Sequence, residues 1–321
     1  MRAVVVHEFG GPQVLEVVDL PEPVPGPGQL AIRVAAAAVN PVDAVTRDGT
    51  LAGLGLLPAP APGTPVGIGW DVAGEVLALG PGTAGFAVGQ RVLALRDRLD
   101  LPLGSYADHL VLDASAVAPL PDGLPFAEAA TLPLNGLTAD QALDLLDLPP
   151  GATLLVTGAA GAVGGFAVEL AARQRGLTVL AQAAPADHAA LRAMGAAFVV
   201  DRAAPDLAEA VRALVPGGVD GALDTALLGI RALGAVRNRG AFVSVAGGPP
   251  PGLRGITVHT VWIAADGAAL TRLAGLAAAG ELTLRVADVL PLDQAATAHQ
   301  RLAAGGLRGR LVLVPAPAAA R

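Results

Sequence analysis

Residues 155–165 read Leu-Val-Thr-Gly-Ala-Ala-Gly-Ala-Val-Gly-Gly, and this stretch decides the fold. An apolar run, Ala152 to Thr157, feeds a glycine-rich turn, and an apolar, helix-patterned segment, Val163 to Arg173, follows it. A strand, a turn and a helix in that order aim backbone N–H groups and a helix N-terminus at the place where a dinucleotide pyrophosphate binds. The glycines follow Ala159-x-Gly161-x-x-Gly164, with alanine in place of the first glycine of G-x-G-x-x-G. Gly161 lets the backbone approach phosphates, and Gly164 lets the helix pack closely on the strand. A lone loop of this kind is also an ordinary turn, so the chain around it has to carry the assignment.

It does so by spacing. Strand-like runs follow at Leu177–Ala181, Ala197–Asp201, Asp220–Thr225, Gly240–Val245 and Ile256–Ile263. Helix-patterned stretches separate the first of them, at Ala186–Met194, Pro205–Leu214 and Leu228–Val236. Apolar strands alternating with helices predict a parallel sheet buried on both faces. The right-handed crossover rule then leaves a Rossmann doubly wound α/β fold.

The rest of the chain has another texture. Residues 1–121 hold short β-patterned segments (Ala3–His7, Leu30–Ala36, Asp71–Leu79, Gln90–Leu95, Ala107–Leu112) between Pro- and Gly-rich loops. Many short strands with turn signals predict a compact, barrel-like β domain. Helical periodicity takes over across Pro125–Leu146, and Leu282–Val314 returns to strands around a short helix at Leu292–Ala304. The expected organisation is a β domain, 1–121 and 264–321, split around a nucleotide-binding domain, 122–263.

Composition excludes several function classes. A length of 321 residues and a hydrophobic fraction of 53% fit two cores. A net charge of −7 without a basic run argues against nucleic acid as a partner. The basic residues are all arginine, in line with a GC-rich coding bias. Cysteine is absent, which removes disulfides and any cysteine-ligated zinc. The N-terminus reads as a strand rather than a signal peptide, and apolar stretches are broken by Gly, Pro or charge. A cytoplasmic protein is the expectation.

Taken in order along the chain, several short motifs resemble one family. They are Ala38-Val39-Asn40-Pro41-Val42-Asp43, Gly69-Trp70-Asp71-Val72-Ala73-Gly74-Glu75-Val76, Val88-Gly89-Gln90-Arg91-Val92, Gly104-Ser105-Tyr106-Ala107, Leu137-Thr138-Ala139, the glycine loop, and Gly309-Arg310-Leu311-Val312-Leu313. With these the chain resembles the medium-chain dehydrogenase/reductases, in their zinc-independent quinone oxidoreductase (zeta-crystallin-like) branch. The resemblance implies a GroES-like catalytic domain beside a Rossmann domain, with the active site in the cleft between them.

Zinc-dependent relatives have a cysteine where Asn40 stands and a histidine where Trp70 stands, and neither replacement is a normal zinc ligand. Without a Lewis acid to stabilise an alkoxide, the accessible hydride acceptors are a quinone or the activated double bond of an α,β-unsaturated carbonyl. Asn40 has two readings: an amide that holds the nicotinamide ribose or a substrate oxygen, and a loop-capping asparagine. Asp43 is expected to order that loop by accepting N–H bonds. Trp70 is either an aromatic wall over the acceptor or a core residue. Asn135, four positions after Thr131 in one helical stretch, is a polar candidate for the site. The family's Gly-x-Tyr is here Gly49-Thr50-Leu51, so no tyrosine supplies the proton and solvent is the expected donor. His7, His109, His259 and His299 lack metal-like spacing.

The resemblance assigns cofactor contacts to Thr138, to Ala160, Gly161, Ala162, Val163 and Gly164, and to Ala246, Gly247 and Arg310. NAD-preferring folds carry an acid at the end of the second strand, and Val179–Ala184 has none, with Ala183 at that place. NADPH is therefore expected, with NADH possible. The family's lysine is also missing; His188 stands near it, and Arg202 is the nearest cation, with Arg192 behind it. A cofactor-binding protein of this fold with a non-redox role is the alternative to an enzyme. Ile256–Ile263, an apolar strand at the sheet's end, predicts a homodimer.

Overall fold

The computed structural model describes residues 1–61 and 64–315. The chain forms two compact units. One holds Met1–Leu134, Ala264–Ala278 and the described part of 284–321; the other holds Asn135–Ile263 with Ala279–Thr283.

The first unit opens with β1 (Arg2–Val6), β2 (Glu16–Asp19), β3 (Gln29–Val39), α1 (Pro41–Arg47) and α2 (Thr50–Gly53). It continues with β4 (Val66–Gly67), β5 (Asp71–Leu79), β6 (Arg91–Leu95), β7 (His109–Asp113), β8 (Val117–Pro119) and α3 (Phe126–Ala129). β1 pairs antiparallel with β2 and β4. β3 is the spine of the larger sheet, with β5 along one edge and β7 on the first half of the other. Val4, Val6, Ile32, Ile68, Val72 and Tyr106 are buried together as its core, which is what keeps short strands with weak individual propensity in place.

The second unit begins in α4 (Pro133–Leu146), then runs β9 (Thr153–Thr157), α5 (Ala162–Glu169), β10 (Thr178–Ala183), α6 (His188–Met194), β11 (Phe198–Asp201) and α7 (Leu207–Leu214). β12 (Val219–Asp224), α8 (Ile230–Leu233), β13 (Val236–Ser244) and β14 (Thr257–Thr260) complete it. The strands pair in parallel in the order β11-β10-β9-β12-β13-β14, the doubly wound arrangement. Leu154, Leu155 and Val156 of β9 are fully buried on both faces, as a central parallel strand requires. The chain then adds α9 (Gly267–Ala278), β15 (Val286–Pro291), α10 (Ala295–Ala304) and β16 (Arg310–Val314). β16 lies antiparallel to Ala37–Val39, beyond the part of β3 that β7 covers, and so ties the end of the chain into the first unit's sheet.

Three elements differ from the expected pattern. The helix expected over Leu228–Val236 shrinks to α8, because the backbone is left-handed at Leu227 (φ 56°) and Gly229 (φ 58°) and already extended at Val236. The helical stretch Pro125–Leu146 is two helices: Pro133 opens α4, so Thr131 stands outside the helix that carries Asn135, with its hydroxyl on the carbonyl of Glu128 at 2.8 Å. α9 lies outside the expected pattern, although Leu270, Leu273, Ala274 and Ala277 form a helical stripe on its buried side.

Candidate active site

In the second unit the residues proposed for the cofactor gather where the parallel strands end. The glycine loop follows β9, Ala183 ends β10, Arg202 follows β11, and Ala246 and Gly247 lie just past β13. In this strand order the topological switch lies between β9 and β12, next to the loop. Gly158 is left-handed (φ 58°), and Gly161 is the N-cap of α5. The N–H groups of a helix's first turn have no intrahelical partner, so α5 presents the donors of Ala162 and Val163 beside Gly161. A Cβ at Gly161 would meet only the carbonyl of Gly158, at 3.1 Å, so the outer side of the loop is open. At Gly164 a Cβ would lie 2.5 Å from that carbonyl and 2.7 Å from Cα of Ala159. The two glycines therefore do different work, Gly161 for access and Gly164 for packing.

Buried polar side chains fix the loop from behind. Gln182 accepts the N–H of Gly158 through Oε1 at 3.3 Å, and its own carbonyl accepts the N–H of Ala159 at 3.1 Å. Asp224 accepts the hydroxyl of Thr157 at 2.6 Å and the N–H groups of Leu228 and Gly229 at 3.0 and 2.7 Å. The carbonyl of Ala183 joins two other candidates, taking the backbone N–H of Arg202 at 2.8 Å and lying 3.4 Å from Nε2 of His188. Arg202 is exposed and has no ion-pair partner among the described residues. Asp201, in register with Ala183, turns its carboxylate onto the N–H of Ala203 at 2.9 Å. Asn135 and Thr138 are both buried on one face of α4.

Asn40, Asp43, Trp70 and Arg310 fall in the first unit, where Asn40 and Asp43 belong to one buried polar cluster with Asp71 and Tyr106, close enough to Arg310 to feel its charge. Asn40 and Asp43 form the capping box of α1, in which the Asp43 carboxylate accepts the N–H of Asn40 at 2.7 Å. The Asn40 amide donates to Oδ2 of Asp71 at 2.7 Å, and Oδ1 of Asp71 accepts the N–H of Leu134, in the first turn of α4, at 2.6 Å. Tyr106 donates its hydroxyl to Oδ2 of Asp43 at 2.9 Å. Burial pushes the carboxyls of Asp43 and Asp71 up to about 7, against the pull of these hydrogen bonds and of Arg310. Trp70 is only 5% exposed, and its indole N–H has no acceptor among the described residues, nor has Oδ1 of Asp43 a donor.

The donor set does not suit zinc. Asn40 turns its amide N–H groups, not its oxygen, toward Asp71, and an indole nitrogen keeps its proton. Among the described residues no three His, Cys, Asp or Glu side chains group closely enough to hold a metal ion.

Comparison with known proteins adds the family. Residues 26–122 match the model described as an alcohol dehydrogenase GroES-like domain, and residues 194–313 the one described as a zinc-binding dehydrogenase. The chain is 32% identical to a quinone oxidoreductase of Pseudomonas aeruginosa, over 96% of this chain and 97% of that one. It belongs to the medium-chain dehydrogenase/reductase superfamily, in its quinone oxidoreductase-like branch. It is 28% identical to a chloroplastic NADPH-dependent alkenal/one oxidoreductase of Arabidopsis thaliana, covering 99% of this chain and 80% of that one. Among solved structures it resembles an NAD-dependent alcohol dehydrogenase with a TM-score of 0.87 and 32% identity, over 98% of this chain and 100% of that one. The chain is thus an oxidoreductase with a nucleotide-binding dehydrogenase fold.

Reading the sequence missed Gln182, Asp224 and Tyr106 as parts of the site, and it set His299 aside. Gln182 had a local signal, as a polar residue inside an apolar strand, and Tyr106 stood in one of the motifs that carry the resemblance.

Proposed function

We propose that this chain is an NADPH-dependent, zinc-independent reductase of quinones or of the activated C=C bond of α,β-unsaturated carbonyls. The observation that carries the reading is the row of loops at the strand ends, with the open Gly161 turn beside the switch and no carboxylate side chain at the end of β10. A reduced nicotinamide bound there supplies a hydride. The first turn of α5 would receive the pyrophosphate, and Ala160, Ala246 and Gly247 would line its path. Arg202 and His188, flanking Ala183, would receive a 2′-phosphate that an acid would repel. Thr138 and Asn135 would stand on the nicotinamide side. In the first unit Asn40, Asp43 and Trp70 would shape the acceptor side, Asn40 by holding its loop and Trp70 by excluding water, and Arg310 would contact the cofactor. With no zinc, the acceptor has to spread its developing charge by conjugation, which quinones and enones do. The quinone and alkenal/one oxidoreductases among the relatives support those acceptor classes.

The same reading makes the protein a cytoplasmic homodimer that pairs β14, the sheet's terminal strand, with a second copy; Trp262, just beyond it, is 74% exposed. No helix among the described residues is long and apolar enough to cross a membrane. The test is consumption of NADPH and of NADH with a panel of quinones and enones, with zinc content measured on the same sample. Turnover that favours NADPH is expected. Reaction with simple alcohols or ketones alone, or a requirement for zinc, would overturn the reading.

A further inference from the structure

One buried chain of polar groups in the first unit runs from Arg47 through His299 and Tyr106, none of which has a role in the proposed hydride transfer, to Asp43. Arg47 NH1 lies 3.0 Å from Nδ1 of His299, Nε2 of His299 lies 3.4 Å from the hydroxyl of Tyr106, and that hydroxyl lies 2.9 Å from Oδ2 of Asp43. All of these side chains are buried: His299 and Tyr106 are 1% and 0% exposed, Asp43 0% and Arg47 8%. The donors and acceptors have only one consistent order. A guanidinium only donates, so Nδ1 of His299 has to accept and carries no proton. A neutral imidazole then bears its proton on Nε2, which faces Tyr106 and donates to it. The hydroxyl of Tyr106, already accepting, gives its own proton to Asp43. Asp43 and Arg47 are four residues apart on α1, so they share one helix face, and Tyr106 with His299 of α10 closes a ring over it. The edge-to-face contact of the two rings, with centroids 5.9 Å apart, holds their mutual orientation.

We propose that this one-directional chain, Arg47 to His299 to Tyr106 to Asp43, fixes the N-cap loop of α1, so that Tyr106 and His299 are positioning residues for Asn40. The route is short. Asp43 uses the same carboxylate oxygen for Tyr106 and for the N–H of Asn40. Losing the tyrosine's bond therefore loosens the acceptor on which Asn40 hangs. The charged surroundings agree with the assigned protonation. Burial first and Arg47 second hold the His299 imidazole down, to about 4, so it stays neutral. Burial raises the Asp43 carboxyl to about 7 against the opposing pull of Arg310 and Arg96, and a proton held on Oδ1 leaves Oδ2 free to accept from Tyr106 and Asn40; Asp71 lies across Asn40 as the like charge.

The role of Asn40 in turnover rests on the proposed reductase; the protonation of His299 does not, and the two are measured separately. Nitrogen-15 NMR of the histidine side chains in the full chain, with His299→Gln to identify the resonance, reads the tautomer directly. The expected result is a neutral ring protonated at Nε2 from pH 8 down to pH 5. A ring protonated at Nδ1, or an imidazolium at pH 7, would overturn the chain. For the positioning role, Tyr106→Phe and His299→Leu should lower kcat by about tenfold, the scale of one lost buried hydrogen bond, with KM for NADPH little changed. His299→Gln, whose amide offers an acceptor and a donor, should recover most of that loss. Variants that melt earlier with kcat unchanged would reduce both residues to structural ones. If no substrate turns over at all, the reductase reading fails while the tautomer result still stands or falls by itself.

Discussion

Replacing Asp43 with asparagine should flatten the dependence of stability on pH. Burial raises the Asp43 carboxyl from 3.8 to about 7, so between those values the folded chain keeps a proton that the unfolded chain has released. A folded state that binds more protons loses stability as the pH rises. The loss begins near pH 4 and is complete by about pH 7. Between pH 5 and pH 8 it amounts to about 2.5 kcal/mol, from about 1.4 kcal/mol for each pH interval of one across which the folded chain holds the extra proton. Asparagine keeps an acceptor oxygen for the N–H of Asn40 and the hydroxyl of Tyr106 but cannot ionise. Asp71 is raised in the same way and adds a fall of the same sign. His299, lowered to about 4, works in the opposite direction, since the unfolded imidazole takes up a proton that the folded one refuses. His299 remains in the variant, and Asp71, raised first by burial and in lesser part by the Asp43 charge, loses only that lesser part, so the difference between the two proteins reports Asp43 with a smaller contribution of the same sign from Asp71. Urea denaturation of wild type and Asp43→Asn at several pH values from 5 to 8 measures it. Parallel curves would mean that Asp43 is already ionised at pH 5, and the electrostatic account of the cluster would be wrong.

Three other outcomes follow from the same structure. Gly161→Val should abolish NADPH binding in a protein that still melts cooperatively, whereas Gly164→Ala should lower the melting temperature, because its Cβ meets backbone at 2.5 Å; calorimetry and cofactor titration separate the two. Asn40→Ala removes a donor to the buried Asp71 carboxylate and should cost on the order of 1–3 kcal/mol of stability. In steady-state assays with a quinone the same variant should lose on the order of 10²-fold in turnover with cofactor binding largely kept. Arg202→Ala should narrow the preference for NADPH over NADH, and fluorescence titrations of both cofactors check this.

The candidate residues of the two units were unequally legible in the sequence. The glycine loop and the strand ends could be read because a strand, its turn and its helix are contiguous, and periodicity reports contiguous structure. Ala183 and Arg202 are separated by one crossover unit and could be placed by counting strands. The first unit's cluster had no such signal. Asn40 meets Asp71 across 31 residues, Asp43 meets Tyr106 across 63, and Arg47 meets His299 across 252. Each of those side chains looks like an isolated polar residue until the sheet brings β16 and α10 back to β3. Asn40 shows the consequence: its residue type suggested a ligand-facing amide, while the fold occupies that amide with Asp71. The break between α3 and α4 was written in Pro133, and the periodicity across Pro125–Leu146 hid it. α9 was legible by its stripe of Leu270, Leu273, Ala274 and Ala277, but its many alanines blur the contrast between its faces.

The most direct test of the central claim uses one preparation stripped of metal by chelation. Its zinc content is measured, and the oxidation of NADPH is followed on adding a quinone or an α,β-unsaturated ketone. The account predicts no stoichiometric zinc, undiminished oxidation of NADPH, and reduction of the acceptor in equal amount. Activity that vanishes on chelation and returns with added zinc would contradict it.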